Sequence, residues 1–116
     1  MTTDCLFCKI VAKNIPSTII YEDEHVFAFE DIAPQAPVHV LVIPKKHIAS
    51  LDLVKEEDRE TMGVVMERTA HIARMLKVNE KGYRTIINTN GDGGQVVYHI
   101  HVHILGGKPI GAMVSR

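Results

Sequence analysis

The sequence lacks a long hydrophobic run and an excess of charge of one sign. No apolar stretch is long enough to cross a bilayer, and the first residues lack the basic-then-apolar pattern of a secretory signal. The chain has 13 basic and 14 acidic residues and a net charge of −1, which provides no footprint for broad nucleic-acid binding. These absences predict a cytoplasmic protein whose partners include neither a membrane nor a nucleic acid.

Cysteine is also scarce, since Cys5 and Cys8 are the only two, and no low-complexity tract interrupts the chain. Thiols stay reduced in the cytoplasm, so this pair favours a metal or redox role over a structural disulfide. The 116 residues, 46% apolar and 23% charged, are enough for one compact domain and too few for two. We therefore expect a single domain over residues 1–116.

Three histidines alternate with β-branched residues in His99-Ile100-His101-Val102-His103-Ile104-Leu105. Alternation with a period of two predicts a strand, on which every second side chain lies on the same face. The three imidazoles are therefore expected to share one face, and Ile100, Val102 and Ile104 are expected to point into a core. A row of imidazoles on one face indicates a functional site.

The row has two chemical interpretations besides a polar surface that happens to be rich in histidine. As metal ligands, the outer two histidines lie roughly 13 Å apart along a strand. One tetrahedral zinc ion with bonds of about 2 Å cannot bridge that distance, although an adjacent pair fits. As nucleophiles, neutral imidazoles react near pH 7 because their pKa lies there. Gly93 and Gly94 precede the row and favour a phosphate ligand, since glycines let backbone N–H groups approach phosphate oxygens.

Hydrophobic periodicity predicts two helices and five strands. A short helix over residues 4–13 has Asp4 as its expected N-cap, and a long helix over residues 55–77 has an apolar stripe at spacings of three and four. The strands are expected at residues 18–22, 25–30, 38–43, 83–89 and 99–105. Residues 90–95 are expected to form a loop, and the tail over residues 106–116 has no clear period.

These elements, most of them connected as hairpins, predict an α+β domain with one antiparallel five-stranded sheet. The long helix is expected to pack across one face of the sheet. An open sheet has two edge strands that need cover. Pairing of two chains would supply it, so we expect a dimer.

The pattern His-φ-His-φ-His-φ-φ, in which φ is apolar, is similar to the signature of the histidine-triad superfamily. Further segments resemble its nucleotide-binding, phosphoramidase branch, at residues 4–10, 15–17, 31–39, 43–47 and 93–95. The resemblance covers almost the whole chain. It implies the histidine-triad fold, a homodimer whose two sheets join into one, a purine nucleotide as ligand, and hydrolysis at the α-phosphate.

The resemblance also implies roles for four histidines. His101, the middle one, is similar to the residue that attacks the α-phosphorus and becomes transiently nucleotidylated. His103 is similar to the residue that contacts the phosphate, and His39 to a further histidine that lies near the catalytic one. His99 leads the row and either supports the other two or binds a metal.

The nucleotide-binding residues follow from the same resemblance. Asp31 is similar to the carboxylate that accepts both ribose hydroxyls. The base slot is implied at Leu6, Phe7, Ile10, Phe29, Ile32 and Leu41, and the phosphate contacts at Asn88, Gly94, Gln95 and Val96. Several relatives carry Ser or Thr where this chain has Val96, which offers only its backbone N–H in place of a hydroxyl contact of about 1 kcal/mol. An apolar slot discriminates purines weakly, so the preference between adenine and guanine stays open.

The spacing of Cys5 and Cys8 supplies half of a tetrahedral zinc site. Some bacterial relatives that keep both cysteines hold zinc with residues equivalent to His47 and His99. The resemblance therefore implies a structural zinc ion at Cys5, Cys8, His47 and His99. The alternative is a pair of buried free cysteines, and a thiol-redox role is disfavoured because no βαβ pattern surrounds the motif.

The leading functional hypothesis is a purine nucleoside phosphoramidase that cleaves adenosine phosphoramidate or adenylated amines. One alternative is a hydrolase of dinucleoside polyphosphates, although no basic stretch lies beside the predicted site. The other is a nucleotide-binding interaction module with little turnover.

Overall fold

The computed structural model describes residues 4–114. The strands in this range are β1 (Ile19–Glu22), β2 (Val26–Glu30), β3 (Val38–Pro44), β4 (Arg84–Ile86) and β5 (Val102–Gly106). The helices are α1 (Leu6–Val11), α2 (Arg59–Met75) and the single turn α3 (Asn90–Gly93), with 3-10 turns at Leu51–Leu53 and Glu56–Asp58. No helix in the described part of the chain is long and apolar enough to cross a membrane.

The five strands form one antiparallel sheet in the order β1-β2-β3-β5-β4. Strands β3 and β5 occupy its centre, where Leu41 pairs with His103 and His39 pairs with Leu105. Strands β1 and β4 form its two edges. The predicted fold class, an α+β domain with an antiparallel five-stranded sheet and one long and one short helix, is confirmed.

Each face of the sheet has its own apolar core, because side chains alternate along the strands. One core lies between the sheet and α2 and is built around valines and isoleucines, among them Val40, Val42, Val102 and Ile104. The other contains α1 residues and the side chains of the opposite face, namely Phe7, Ile10, Phe27, Phe29, Leu41 and Ile43. The histidines lie on this second face, so α1 covers the part of the sheet beside them.

Helix α2 packs with its buried residues at helical spacing. Val65, Thr69, Ile72 and Ala73 are buried, and the Thr69 hydroxyl donates to the Val65 carbonyl at 2.8 Å, which satisfies the one polar group in the stripe. This confirms the predicted packing of the long helix across one sheet face. The helix begins at Arg59 rather than at residue 55, because Glu56–Asp58 forms a 3-10 turn instead.

Four local predictions are wrong. Strand β5 begins at Val102, so His99 and His101 precede it rather than lie in it. Residues 90–93 form the turn α3 rather than a loop, and β4 spans only Arg84–Ile86. Cys5 rather than Asp4 caps α1, since its Sγ accepts a hydrogen bond from the Cys8 N–H at 3.3 Å. The last two residues of the predicted tail, Ser115 and Arg116, lie outside the described residues.

Asp23 ties the β1–β2 turn to helix α2. Its carboxylate accepts hydrogen bonds from the N–H groups of His25 and Val26, both at 2.8 Å, from the Tyr21 hydroxyl at 2.8 Å, and from Arg68 Nε at 2.5 Å. Partial burial alone would raise the pKa of the Asp23 carboxyl, but the bonds from Arg68, His25, Tyr21 and Val26 hold it well below its usual range.

We expect Asp23→Asn to lower the free energy of unfolding at pH 7 by about 1–3 kcal/mol, because it removes a charged acceptor from four donors. A carboxyl whose pKa is lowered by folding stabilises the protein above its unfolded pKa of about 4 and loses that effect as the pH falls below it. The difference between wild type and variant should therefore narrow below about pH 4. Urea denaturation at pH 7 and at a pH below about 4 measures the free energy of unfolding of wild type and variant, with the exposed neighbour Glu24→Gln as the control. An equal difference between wild type and Asp23→Asn at both pH values would contradict the prediction.

Candidate active site

His39 and His103 meet on the two central strands. Because Leu41 pairs with His103 and His39 with Leu105, the two histidines are diagonal neighbours on one face of the sheet. Nε2 of His39 lies 2.9 Å from Nδ1 of His103, and the ring centroids are 5.2 Å apart. Burial, together with the rings of His101 and His39, lowers the pKa of His103 to about 4. Both rings are therefore neutral at pH 7, since burial lowers the pKa of His39 as well.

His101 has a fixed tautomer. Its Nδ1 lies 2.7 Å from the carbonyl oxygen of His99, and because a carbonyl oxygen only accepts, Nδ1 carries the proton. The lone pair of the neutral ring is therefore on Nε2. Burial lowers the pKa of His101, against the opposite effects of this hydrogen bond and of Asp31. The edge of Phe7 meets the ring at a centroid distance of 5.0 Å, and the ring of His103 lies at the same distance.

Asp31 lies at the start of the proline-containing loop that leads into β3. Its Oδ2 is 3.4 Å from Nε2 of His39, and its Oδ1 accepts a hydrogen bond from the Ala33 N–H at 2.8 Å. The Asp31 N–H in turn donates to the His39 carbonyl at 3.0 Å. The carboxylate is thus held half-buried beside the imidazoles.

The glycine-rich turn is organised by Gln95. Its side-chain Oε1 accepts from the Asn90 N–H at 2.9 Å, and its Nε2 donates to the carbonyls of Ala49 at 2.8 Å and Val97 at 3.1 Å. The backbone N–H groups of Gly94 and Gln95 donate to Gly91 and Asn90. Gln95 therefore holds the turn from within, and the N–H groups of Gly94 and Gln95 have acceptors inside the turn. The phosphate contacts expected at these two residues stay a prediction.

Two predicted phosphate contacts flank this turn. Asn88 follows β4, and its Cγ lies 4.0 Å from the position of a Cβ on Gly94, whose φ of +88° favours glycine. Val96 is 86% exposed, and no acceptor for its backbone N–H is found in the described range. The turn thus offers a ligand the Asn88 side chain and one backbone N–H.

The predicted base-slot residues divide into a floor and a rim. Phe7, Ile10, Phe29 and Leu41 are at least 93% buried in the second core, so they expose little surface to a ligand. Leu6 and Ile32 are 43% and 98% exposed. Phe7 also contacts His101, which makes it a support for the imidazole as well as part of the floor.

Cys5, Cys8, His47 and His99 converge on one point beside the imidazole pair. Nδ1 of His99 lies 3.3 Å from Cys5 Sγ, 3.5 Å from Cys8 Sγ and 3.3 Å from Nδ1 of His47, which is 3.4 Å from Cys8 Sγ. A tetrahedral ion with bonds of about 2.3 Å to sulfur and 2.0–2.1 Å to nitrogen requires ligand atoms about 3.3–3.8 Å apart. These four residues could therefore hold a metal ion.

The tautomer of His99 also fits a metal. Its Nε2 lies 2.8 Å from the Pro44 carbonyl, so Nε2 donates and Nδ1 turns its lone pair toward the other three ligands. Burial lowers the pKa of His99 to about 4, which keeps the ring neutral. All four members of this cluster are residues at which the family resemblance implied a zinc site.

The cavities do not locate the site by size. One cavity, of about 730 Å³, is lined by residues 77–78, 81–84 and 107–110, and includes none of the predicted site residues. A cleft of about 380 Å³ is lined by residues 4–6, His47 and residues 96–98, and joins the cysteine–histidine cluster to Val96. The chemistry of the imidazoles, rather than cavity size, identifies the candidate active site.

The chain is similar along its length to proteins with known names. It is 46% identical over 116 residues to purine nucleoside phosphoramidase of Escherichia coli (strain K12), a match that covers 100% of this chain and 98% of that protein. A HIT family hydrolase from Legionella pneumophila Philadelphia 1 has a TM-score of 0.90 at 48% identity, covering 92% of this chain and 96% of that one. A HIT family hydrolase from Clostridium thermocellum has a TM-score of 0.94 at 43% identity, covering 99% and 100%.

The profile of the HIT domain matches residues 12–110. Together with these likenesses, an open antiparallel sheet with a cluster of neutral imidazoles at its centre defines a hydrolase of the histidine-triad class. The chain belongs to the HIT domain family.

Proposed function

We propose that the protein hydrolyses purine nucleoside 5′-phosphoramidates, such as adenosine phosphoramidate and adenylated amines, through a nucleotidyl-His101 intermediate. The observation that carries this proposal is the hydrogen bond from Nδ1 of His101 to the His99 carbonyl, at 2.7 Å. It leaves a lone pair on Nε2 of a neutral ring, which is the form of histidine that attacks phosphorus. The name of the Escherichia coli relative supports the substrate class.

The reaction proceeds in two displacements. Nε2 of His101 forms a bond to the α-phosphorus as the bond from phosphorus to the amine nitrogen breaks, and the leaving nitrogen takes up one proton, which an imidazole of the cluster can supply. Water then attacks the same phosphorus, the bond to His101 breaks, and the proton released by water restores the cluster. The net reaction adds one water to give a free amine and a nucleoside monophosphate.

The neighbouring residues have roles in binding the nucleotide. The Asp31 carboxylate accepts hydrogen bonds from the two ribose hydroxyls. Asn88 and the backbone N–H of Val96 contact the phosphate. His103 contacts the phosphate beside His101, and His39 supports it through the bond between Nε2 and Nδ1 at 2.9 Å. The base lies against the exposed Ile32 and Leu6, above the floor formed by Phe7, Phe29 and Leu41.

We further propose that Cys5, Cys8, His47 and His99 hold a structural zinc ion. Two thiolates and two imidazoles are a donor set that zinc prefers, and the distances between their ligand atoms suit a tetrahedral site. When bound, the ion would cross-link α1 to the segments that carry His47 and His99. Reduced thiols of this kind accord with the cytoplasmic location expected from the sequence.

The chain is proposed to form a homodimer in which two sheets join into one. The sheet has two edge strands, β1 and β4, whose outer backbone groups face no other strand in the described part of the chain. Such edges pair readily with a second strand. Pairing through one edge would leave the histidine face of each sheet open.

The substrate class is tested by kinetics on purified protein. We expect kcat/KM for adenosine phosphoramidate to exceed that for a diadenosine polyphosphate by at least about 100-fold. A longer phosphate chain needs cations beside the reacting phosphorus. The cavity of about 730 Å³ is lined by basic side chains but includes none of the site residues, so these cations do not serve the proposed site: Lys77, Lys81, Arg84 and Lys108. A preference for the polyphosphate would favour the alternative hydrolase. Binding of adenosine monophosphate without turnover of either compound would favour an interaction module.

A further inference from the structure

The backbone N–H of Gln35 makes a hydrogen bond that fixes the tautomer of His39. It lies 3.0 Å from Nδ1 of His39, within the loop between Pro34 and Pro37. An N–H group only donates, so Nδ1 must carry a lone pair. A neutral imidazole with its lone pair on Nδ1 has its proton on Nε2.

The tautomer of His39 determines the tautomer of His103. Nε2 of His39 lies 2.9 Å from Nδ1 of His103 and 3.4 Å from the Asp31 carboxylate, so its N–H has both as acceptors. Nδ1 of His103 can accept only if it too carries a lone pair. The proton of a neutral His103 is then on Nε2.

Nε2 of His103 is the end of this chain of hydrogen bonds. It is buried and has no hydrogen-bond partner among residues 4–114. A buried N–H without an acceptor costs free energy unless a ligand supplies one, and a phosphoryl oxygen is a strong acceptor. The adjacent His101 presents the opposite group, a lone pair on Nε2, because its Nδ1 donates to the His99 carbonyl.

We propose that the backbone N–H of Gln35 is a positioning group that, through His39, fixes His103 in the Nε2–H tautomer. A hydrogen-bond donor then stands beside the nucleophilic lone pair of His101, and the reversed tautomer of His103 would present a second lone pair instead. The proposal rests on the proposed function only for the identity of the acceptor, a phosphoryl oxygen.

The same tautomers separate two clusters that are alike in composition. Asp31, His39 and His103 bring three possible metal ligands together, as do Cys5, Cys8, His47 and His99. A histidine that binds a metal through Nε2 donates its Nδ1–H to an acceptor. Nδ1 of His39 faces the Gln35 N–H instead, whereas Nε2 of His99 faces the Pro44 carbonyl. The proposal therefore predicts that the Asp31 cluster binds no metal.

The direct test is the tautomeric state of each histidine in the free protein, measured from two-bond ¹⁵N–¹H couplings on protein labelled with ¹⁵N-histidine. We expect His39 and His103 to carry the proton on Nε2 and His101 to carry it on Nδ1. A proton on Nδ1 of His39 or His103 overturns the proposal. This measurement needs no substrate, so it stands or falls separately from turnover of phosphoramidates.

Two variants of one residue isolate the backbone group. Gln35→Pro removes the N–H, whereas Gln35→Ala keeps it and removes only the side-chain amide, which donates to the Ala33 carbonyl. We expect the alanine variant to keep the tautomers of wild type and the proline variant to give a mixture at His39 and His103. The proline variant should also have a kcat at least about tenfold below that of the alanine variant. This loss is smaller than the loss in kcat caused by removing a transition-state hydrogen-bond donor altogether, because a part of the His103 rings would still present the Nε2–H.

A third variant covers the case in which Gln35→Pro does not fold. His39→Leu keeps an apolar side chain of similar size in the sheet and removes the group that donates to Nδ1 of His103. We expect His103 to give a mixture of tautomers in this variant. A His103 that remains wholly protonated on Nε2 in a folded Gln35→Pro would show that the Gln35 N–H does not fix it. The same result in His39→Leu would show that His39 does not fix it either, and each result overturns the proposal.

Discussion

The variant His101→Ala is expected to lose at least about 10⁴-fold in kcat, as enzymes do when a nucleophile that forms a covalent intermediate is removed. The expected loss is this large because no other group among the described residues combines a neutral ring, a lone pair fixed on one nitrogen and a position between His103 and Phe7. Binding of adenosine monophosphate should change by only a few-fold, since the ribose and base contacts remain.

Steady-state kinetics and calorimetric binding of the monophosphate check both parts of this prediction. The control is His25→Ala, which removes a half-exposed imidazole paired with Glu24 on the β1–β2 turn. Rapid quench of wild type with substrate should trap a protein mass increased by one nucleotidyl group, and the variant should not. A variant that retains more than a tenth of the wild-type kcat would mean that another group attacks phosphorus.

The period of the histidine row predicted its faces correctly and its secondary structure only in part. Val102 and Ile104 lie in the core beneath α2, and the rings of His101 and His103 lie together on the other face, as alternation requires. The strand nevertheless starts at Val102, because the Ile100 N–H donates at 2.7 Å to Ile48, outside the strand ladder. A pattern along the chain does not report which distant segment supplies an acceptor.

Other parts of the site had no signal in the sequence. The role proposed for Gln35 depends on a backbone N–H, which every residue except proline has, so no residue type marks it. The side chain of Gln95 holds the turn through three hydrogen bonds whose partners come from separate segments, so its residue type alone did not predict this role. Side chains that carry distinctive chemistry, such as the two cysteines and the histidines, could be assigned from residue type and family resemblance.

The cysteine–histidine cluster and the ring of His101 meet at one residue, His99. Nδ1 of His99 faces the two cysteines and His47, and the His99 carbonyl accepts a hydrogen bond from the Nδ1–H of His101. We therefore expect protein loaded with zinc to bind one ion per chain, and expect Cys8→Ser to bind none under the same conditions. The variant should also have a lower kcat, because movement of the His99 backbone would break the hydrogen bond to Nδ1 of His101 and leave the tautomer of that ring unfixed.

The thermal effect of losing the metal should be large. A ligand present at 100- to 1,000-fold above its Kd stabilises the folded state by about 3–4 kcal/mol, and for a domain of this size that corresponds to more than about 10 °C in Tm. We expect Cys8→Ser, or wild type treated with a chelator, to melt lower by that amount than zinc-loaded wild type. Scanning calorimetry together with elemental analysis of the same samples checks both quantities.

The matched control is Asp31→Asn, which alters the other cluster of three possible ligands. This variant should keep one zinc ion per chain and its thermal response to a chelator, while it weakens nucleotide binding through the ribose. Two outcomes would contradict the assignment of the zinc site. One is wild-type protein that binds no zinc after loading, which would leave Cys5 and Cys8 as half-buried thiols without a metal. The other is loss of the metal in Asp31→Asn but not in Cys8→Ser.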